Sequence, residues 1–141
     1  MTEQPQPQTQ PAPVVYQPQP MLEADARLWA TLVNIASLVG AVVTGGVLGI
    51  VAVLVIWLVY RERSALIDFH GKQQMNLNIS AIAAALVAGI GTLLTFFVGG
   101  FILLPALAAY VIYLFVVSII ATVAANRGEY YRIQGIFRFL K

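Results

Sequence analysis

LNISAIAAALVAGIGTLLTFFVGGFILLPALAAYVIYLFVVSIIATVAA, residues 77–125, contains no acidic or basic side chain apart from its tyrosines. As a single helix it would be about 70 Å long at 1.5 Å per residue. A bilayer core is only ~30 Å thick, so the tract must fold back on itself. The break falls at Gly99-Gly100, ahead of Phe101 and Pro105, because Pro is best tolerated near the start of a new helix. A second tract, Leu28 to Tyr60, is equally free of charge and would be about 50 Å long. Its weakest helical point is Thr44-Gly45-Gly46. The sequence therefore predicts four helices, about 25–43, 46–62, 70–98 and 101–125, arranged as two hairpins. The first two are short for full spans, so a re-entrant hairpin stays open beside a spanning one. Either way the fold class is an all-α membrane protein, a four-helix transmembrane bundle.

Composition points the same way. Of 141 residues 60% are hydrophobic and 10% charged, against roughly 25% charged in an average soluble domain. Mean hydropathy is +0.82. With no cysteine, disulfides, thiolate metal sites, haem attachment and cysteine nucleophiles are excluded. All eight basic residues fall on one side of the four-helix arrangement: Arg27 before the first helix, Arg61, Arg63 and Lys72 between the second and third, and Arg127, Arg132, Arg138 and Lys141 after the fourth. By the positive-inside rule that side is cytoplasmic, with both termini inside a bacterial plasma membrane. Trp29, Trp57 and Tyr60 lie near the same side, as an interfacial belt would.

Residues 1–22 differ in kind. Six of the seven prolines and six glutamines alternate here, and Glu3 is the only charge before residue 23. Such a segment buries too little apolar surface to offset its ordering entropy, so a disordered, polyproline-like tether is expected. The membrane domain then covers 23–126, and 127–141 forms a basic-aromatic carboxy-terminal segment.

Uncharged polar residues recur at helical spacing within the spans. Asn34 and Ser37 lie one turn apart. Gln73, Asn76 and Ser80 share a face, and Ser118, Thr122 and Asn126 form a stripe. Polar groups in lipid must find partners, so the stripe Asn34, Ser80, Ser118 and Thr122 either glues helices together or lines a hydrated path. Small residues spaced by four (Ala41, Gly45, Gly49; Ala81, Ala85, Gly89; Ser80, Ala84, Ala88) allow close helix approach within one bundle or between two copies.

Catalytic patterns are missing. His70 is the only histidine, so no HExxH motif exists, and there is neither a nucleophile elbow nor a phosphate-binding glycine loop. No catalytic, cofactor-binding or metal-ligating residues are assigned, and no cofactor is expected. Ionisable groups are absent from the spans, which argues against ion-coupled transport but leaves a passive pore open. His70 reads as a loop histidine bonded to backbone or to Asp68. Gly71 reads as a kink or turn.

Two polar segments remain: RERSALIDFHGKQQMNLN (61–78) and NRGEYYRIQGIFRFLK (126–141). In the second, Ile133, Ile136, Phe137 and Leu140 fall at i, i+3, i+4 and i+7 with Arg132, Arg138 and Lys141 around them. That is the pattern of an amphipathic segment drawn to anionic lipid, and beside a membrane it outweighs a nucleic-acid reading. The stretches DFHGKQQMN, ANRGEYYR and FRFLK together resemble a bacterial family of small four-helix membrane proteins of unknown function, related to the chloroplast Tic translocon component of about twenty kilodaltons. The resemblance covers roughly residues 27–141. Trp29 and Trp57 match its aromatic positions, and Asn34 stands where the family usually has a histidine or a similar polar group. It implies a four-helix fold and an inner-membrane location, and it marks Asp68, His70, Gly71, Lys72, Asn76, Asn126, Gly128, Glu129 and Tyr130 as fold or interface determinants.

The expected protein is thus a non-enzymatic membrane scaffold or accessory subunit. Its partners would be the lipid bilayer, a membrane protein or further copies of itself, and no nucleic acid. A channel-like or translocation-related oligomer is the alternative, and an intramembrane enzyme using His70 a third.

Overall fold

A computed structural model describes residues 19–141. The expected tail therefore lies outside the described residues, except for 19–22. Met21 N–H donates to Arg63 O (3.1 Å) and Arg63 Nε–H to Gln19 O (3.5 Å), which fastens the chain entering the first helix to the loop after the second.

The described residues form four helices and no strand: α1 (Glu23–Thr44), α2 (Val47–Tyr60), α3 (Ala65–Leu94) and α4 (Gly100–Asn126). Of these, α1, α3 and α4 are long and apolar enough to cross a membrane, whereas the 14 residues of α2 reach only about 21 Å. The α1–α2 turn falls where expected. Gly45 (φ 62°) and Gly46 (φ 103°) adopt left-handed conformations, and both donate their N–H to Gly40 O. Left-handed backbone of this kind favours glycine. The two helices then cross with their backbones touching. A Cβ on Gly40 would land within the backbone of Gly49.

The break between α3 and α4 differs from the sequence expectation. It spans Thr95–Gly99, and the residues with positive φ are Phe96 (49°) and Phe97 (69°), while Gly99 is right-handed. The Thr95 hydroxyl accepts the Gly99 N–H (2.9 Å), and Phe97 N–H reaches Thr92 O (2.8 Å). The turn is thus closed by a side chain, and both phenylalanine rings are left facing outward. Pro105 is the sixth residue of α4.

The largest departure concerns where α3 begins. It starts at residue 65 rather than near 70, with Ser64 as its N-cap accepting Ile67 N–H (3.4 Å). Asp68, His70, Gly71 and Lys72 are consequently helical, so His70 is not a loop residue and Gly71 does not mark a turn. Gly71 instead provides clearance. A Cβ there would stand 2.5 Å from Cδ1 of Trp57 on α2. Gly71→Ala should therefore push α2 from α3 and cost about 1–3 kcal/mol, visible as earlier thermal unfolding in mild detergent and altered Trp57 fluorescence.

α1 and α3 each pack against the other three helices, and α3 is most deeply buried from Leu66 to Ser80. Ala30, Val33, Val53, Leu66, Ile67 and Ala125 form one apolar cluster, and Leu77, Leu114, Val117, Ala121 and Ile133 a second. Beyond residue 80 the α3–α4 hairpin continues almost alone, with outward Leu86, Val87, Ile90, Ile102 and Ile112. Ala85 and Gly89 of the small-residue ladders are exposed there.

Candidate functional site: a buried polar ladder and the strap it holds

The polar residues of α3 divide between two faces. One looks inward. Asn34 on α1 donates both amide hydrogens, to Ala30 O (2.8 Å) and to His70 Nδ1 (3.3 Å). Because Nδ1 accepts, the proton of a neutral His70 sits on Nε2, which donates to Glu129 O (3.0 Å). Asn34 Oδ1 accepts from Gln74 Nε2 (2.5 Å), whose other hydrogen goes to Ser118 Oγ on α4 (3.0 Å). Ser118 returns its own proton to Gln74 Oε1 (3.4 Å). One turn further on, Ser37 and Asn78 form a mutual pair at 3.1 and 3.4 Å. Asn34, His70, Gln74 and Ser118 are all fully buried, so the network joins α1, α3 and α4 where no water competes. Among the described residues only Arg27 Nε is a buried side-chain polar atom without a partner.

The other face looks onto the carboxy-terminal segment. Residues 129–140 are not the amphipathic helix that their spacing predicts. Gly128 (φ 78°) and Gly135 (φ 69°) interrupt helical geometry, and the backbone groups are bound instead by side chains of the bundle. Gln73 Oε1 accepts Ile133 N–H (3.3 Å), and Ser80 Oγ accepts Phe137 N–H (2.8 Å). Asn76 Oδ1 accepts Phe139 N–H (3.0 Å) and Leu140 N–H (2.9 Å), while its Nδ2 donates to Leu140 O (2.9 Å). From α4, Tyr113 OH donates to Gln134 O and Tyr110 OH to Gly135 O, each at 2.9 Å. The segment is therefore a non-helical strap, bent at Gly135, that fills the groove between α3 and α4. Ile133 is its anchor, at 0% exposure. The strap hides Gln73, Asn76 and Ser80, which would otherwise face lipid at several kcal/mol each.

The remaining predicted residues gather at the basic end. Asp68 accepts from Trp57 Nε1 (2.8 Å) and pairs with Lys72 (2.7 Å), so it ties α2 to α3. Arg61 lies over the Trp57 ring at 5.6 Å. Tyr130 packs edge-on against Phe69 (5.2 Å), and Gly128 leaves room for the Arg27 side chain. Asn126 closes α4 and is exposed, and Thr122 bonds only to Ser118 O within its own helix. The predicted stripe is thus not one surface. Asn34 and Ser118 meet through Gln74, Ser80 faces the strap, and Thr122 is spent locally.

Four contributors escaped sequence reading. Gln74 is the hub of the inner network, although its spacing of four from His70 and from Asn78 was a signal for a second polar face on α3. Tyr110 and Tyr113 looked like ordinary membrane aromatics, and Ser64 was hidden by placing the helix start too late. Among the described residues no three His, Cys, Asp or Glu side chains come together as a metal site.

The sequence of residues 25–140 matches the profile of the MamF/MmsF family, described as the magnetosome magnetite crystal formation protein family. The expected small bacterial membrane family is thus found, and no finding supports a relationship to Tic. No curated protein and no solved structure matches the chain. The match runs from the first turn of α1 to the penultimate residue of the strap, so it takes in the ladder and everything the ladder holds, and the chain belongs to the MamF/MmsF magnetosome magnetite crystal formation protein family.

Proposed function

We propose that this chain is a non-enzymatic membrane scaffold, an accessory subunit of a membrane complex, with both termini on the cytoplasmic side of a bacterial membrane. The family description supplies a process, magnetite crystal formation, and we infer that the part played in it is architectural. One observation carries this reading. The polar groups that would line a pore are spent on one another, with every amide hydrogen of Asn34 and Gln74 engaged inside the bundle. A side chain whose donors are all committed offers little to a passing ion or solute. What the bundle leaves outward is its basic end, the α2–α3 loop and the strap, which are the surfaces a partner or lipid would meet.

The absence of native cysteine makes the test clean. Single cysteines at Asn34, Ser80, Ser118 and Thr122, with a control at Glu62, are probed in intact membranes with an impermeant thiol reagent applied from each side. Protection at all four positions, with the control labelled from the cytoplasmic side alone, is the expected result. Labelling at several of the four would mean that water enters the bundle, and the channel-like oligomer would replace the scaffold.

A further inference from the structure

The two flanks of the bundle place the membrane surface at different heights. On the α2 flank, Val51, Val55, Leu58 and Val59 all face outward, so hydrocarbon must reach the end of the helix, and Arg61 and Arg63 mark the surface just beyond. On the strap flank the levels follow from α3. Trp57 lies against Gly71, where an added Cβ would stand 2.9 Å from the Trp57 Cβ, and this contact aligns α2 with α3. Asn76, which holds Phe139 and Leu140, is five residues further down α3. Arg61 lies four residues beyond Trp57 in the opposite direction. At 1.5 Å per residue, Leu140 sits about 14 Å deeper than Arg61. The strap's turn is held by Tyr113, thirteen residues down α4 from Asn126, or about 20 Å.

The far end of the molecule gives an independent measure. The outward rings of Phe96 and Phe97, 89% and 67% exposed, mark the opposite interface. A bilayer core of ~30 Å counted from Phe97 along α3 ends near Leu77. That is one residue from Asn76, the level at which the strap's last residues are bound, and not the level of Arg61.

Arg132, Arg138 and Lys141 are exposed on this deep flank, and among the described residues none has an acidic side chain within ion-pair distance. Basic side chains cannot stay in hydrocarbon without a counter-charge or water. They also cannot swing freely upward, because the neighbouring backbone is bonded at Ile133, Phe137, Phe139 and Leu140. The membrane surface must come to them. We propose that the strap flank is a binding site for anionic phospholipid headgroups, in which Arg132, Arg138 and Lys141 hold lipid phosphates down to about 14 Å below the end of α2 and draw the adjoining leaflet down on that side. Phe137 and Phe139, each 64% exposed and 6.2 Å apart, flank Arg138 at the level of those headgroups, as interfacial aromatic rings do. The molecule is then a wedge with an oblique hydrophobic belt, and mismatch of this kind deforms a bilayer locally.

The test uses the full chain in phosphatidylcholine vesicles with and without phosphatidylglycerol. Spin labels on Val59→Cys and Phe139→Cys are compared for collision with a water-borne nickel chelate and with oxygen. The label at 139 should favour the chelate and the label at 59 oxygen, although 59 lies nearer the basic end. A label at 139 that favours oxygen, or one at 59 that favours the chelate as strongly as 139, overturns the oblique surface. Phosphatidylglycerol retained through purification should fall about tenfold in the Arg132→Gln, Arg138→Gln, Lys141→Gln variant, and much less in Arg61→Gln, Arg63→Gln. Equal retention in the two variants overturns the headgroup site. The proposal rests only on membrane insertion, so it can fail while the scaffold reading stands.

Discussion

Gly40→Leu is expected to separate α1 from α2 and to be the most damaging single substitution in the spans. The Cβ would occupy the backbone of Gly49, with Leu48 C at 3.1 Å behind it. No rotamer change relieves a clash with main chain, so the helices themselves must part. Small-to-large changes in a packed core cost about 1–3 kcal/mol and more where backbone must move. For a domain of this size that is a fall of about 10 °C or more in apparent unfolding midpoint, measurable in mild detergent. The damage should spread, because α1 carries Asn34 and Ser37 to α3, and a displaced α1 leaves Gln74 and Asn78 without those partners. Gly89→Leu is the matched control. The Cβ it adds meets nothing within 4 Å and the position is exposed, so its midpoint should stay within about 2 °C of the parent. Equal losses in the two variants would mean that added bulk anywhere on these helices, and not the α1–α2 crossing, lowers stability.

The same glycines show how far sequence reading reaches. Apolar tracts too long for one bilayer crossing give the number of helices, and Gly45-Gly46 gives the first turn, because a left-handed pair has few other solutions. The crossing at Gly40 and Gly49 was not legible. Ala41, Gly45 and Gly49 share the spacing of four, yet the residues that touch lie on different helices in a register set by the turn. The start of α3 failed for a related reason. The stretch from Ala65 to Phe69 reads as a loop, although Asp68 has a partner in Trp57 on the neighbouring helix. Helical backbone with polar side chains is affordable along α3 because Asn34, Trp57, Ser118 and the strap supply partners.

The histidine illustrates the limit on function. By itself His70 offered an enzyme or a bland loop residue. Its position between Asn34 and Glu129 O gives it a third role, a bridge that reads a main-chain carbonyl at the strap's first residue. Nothing at position 70 announces that role, since the acceptor is a backbone atom 59 residues away. The strap followed the same logic. Its spacing satisfied a helical template, but Gly128 and Gly135 at left-handed angles and side-chain acceptors in the groove favoured non-helical backbone. The pattern in the side chains was real, in that Ile133 is buried and Phe137 and Phe139 are not. The period inferred from it was wrong.

Removing residues 129–141 should be more damaging still, and for a reason opposite to that of Gly40→Leu. Truncation introduces no clash. It deletes the eight hydrogen bonds that His70, Gln73, Asn76, Ser80, Tyr110 and Tyr113 make to strap backbone. It also uncovers Leu77, Leu114 and Val117, which pack round Ile133. Each polar group stranded against lipid costs about 1–3 kcal/mol, so the set together is comparable with the 5–15 kcal/mol that holds a typical domain folded. The truncated chain should be degraded in cells and aggregate on detergent extraction. Finer variants separate loss of the strap's backbone from loss of its side chains. Phe139→Ala leaves the N–H that Asn76 accepts and removes a ring that is 64% exposed, so it should be nearly silent. Phe139→Pro removes that N–H and should lower the unfolding midpoint by several degrees, with Phe137→Pro doing the same through Ser80. If the alanine and proline variants at 139 behave alike, the groove grips side chains and not backbone, and the ladder on α3 is not what holds the strap.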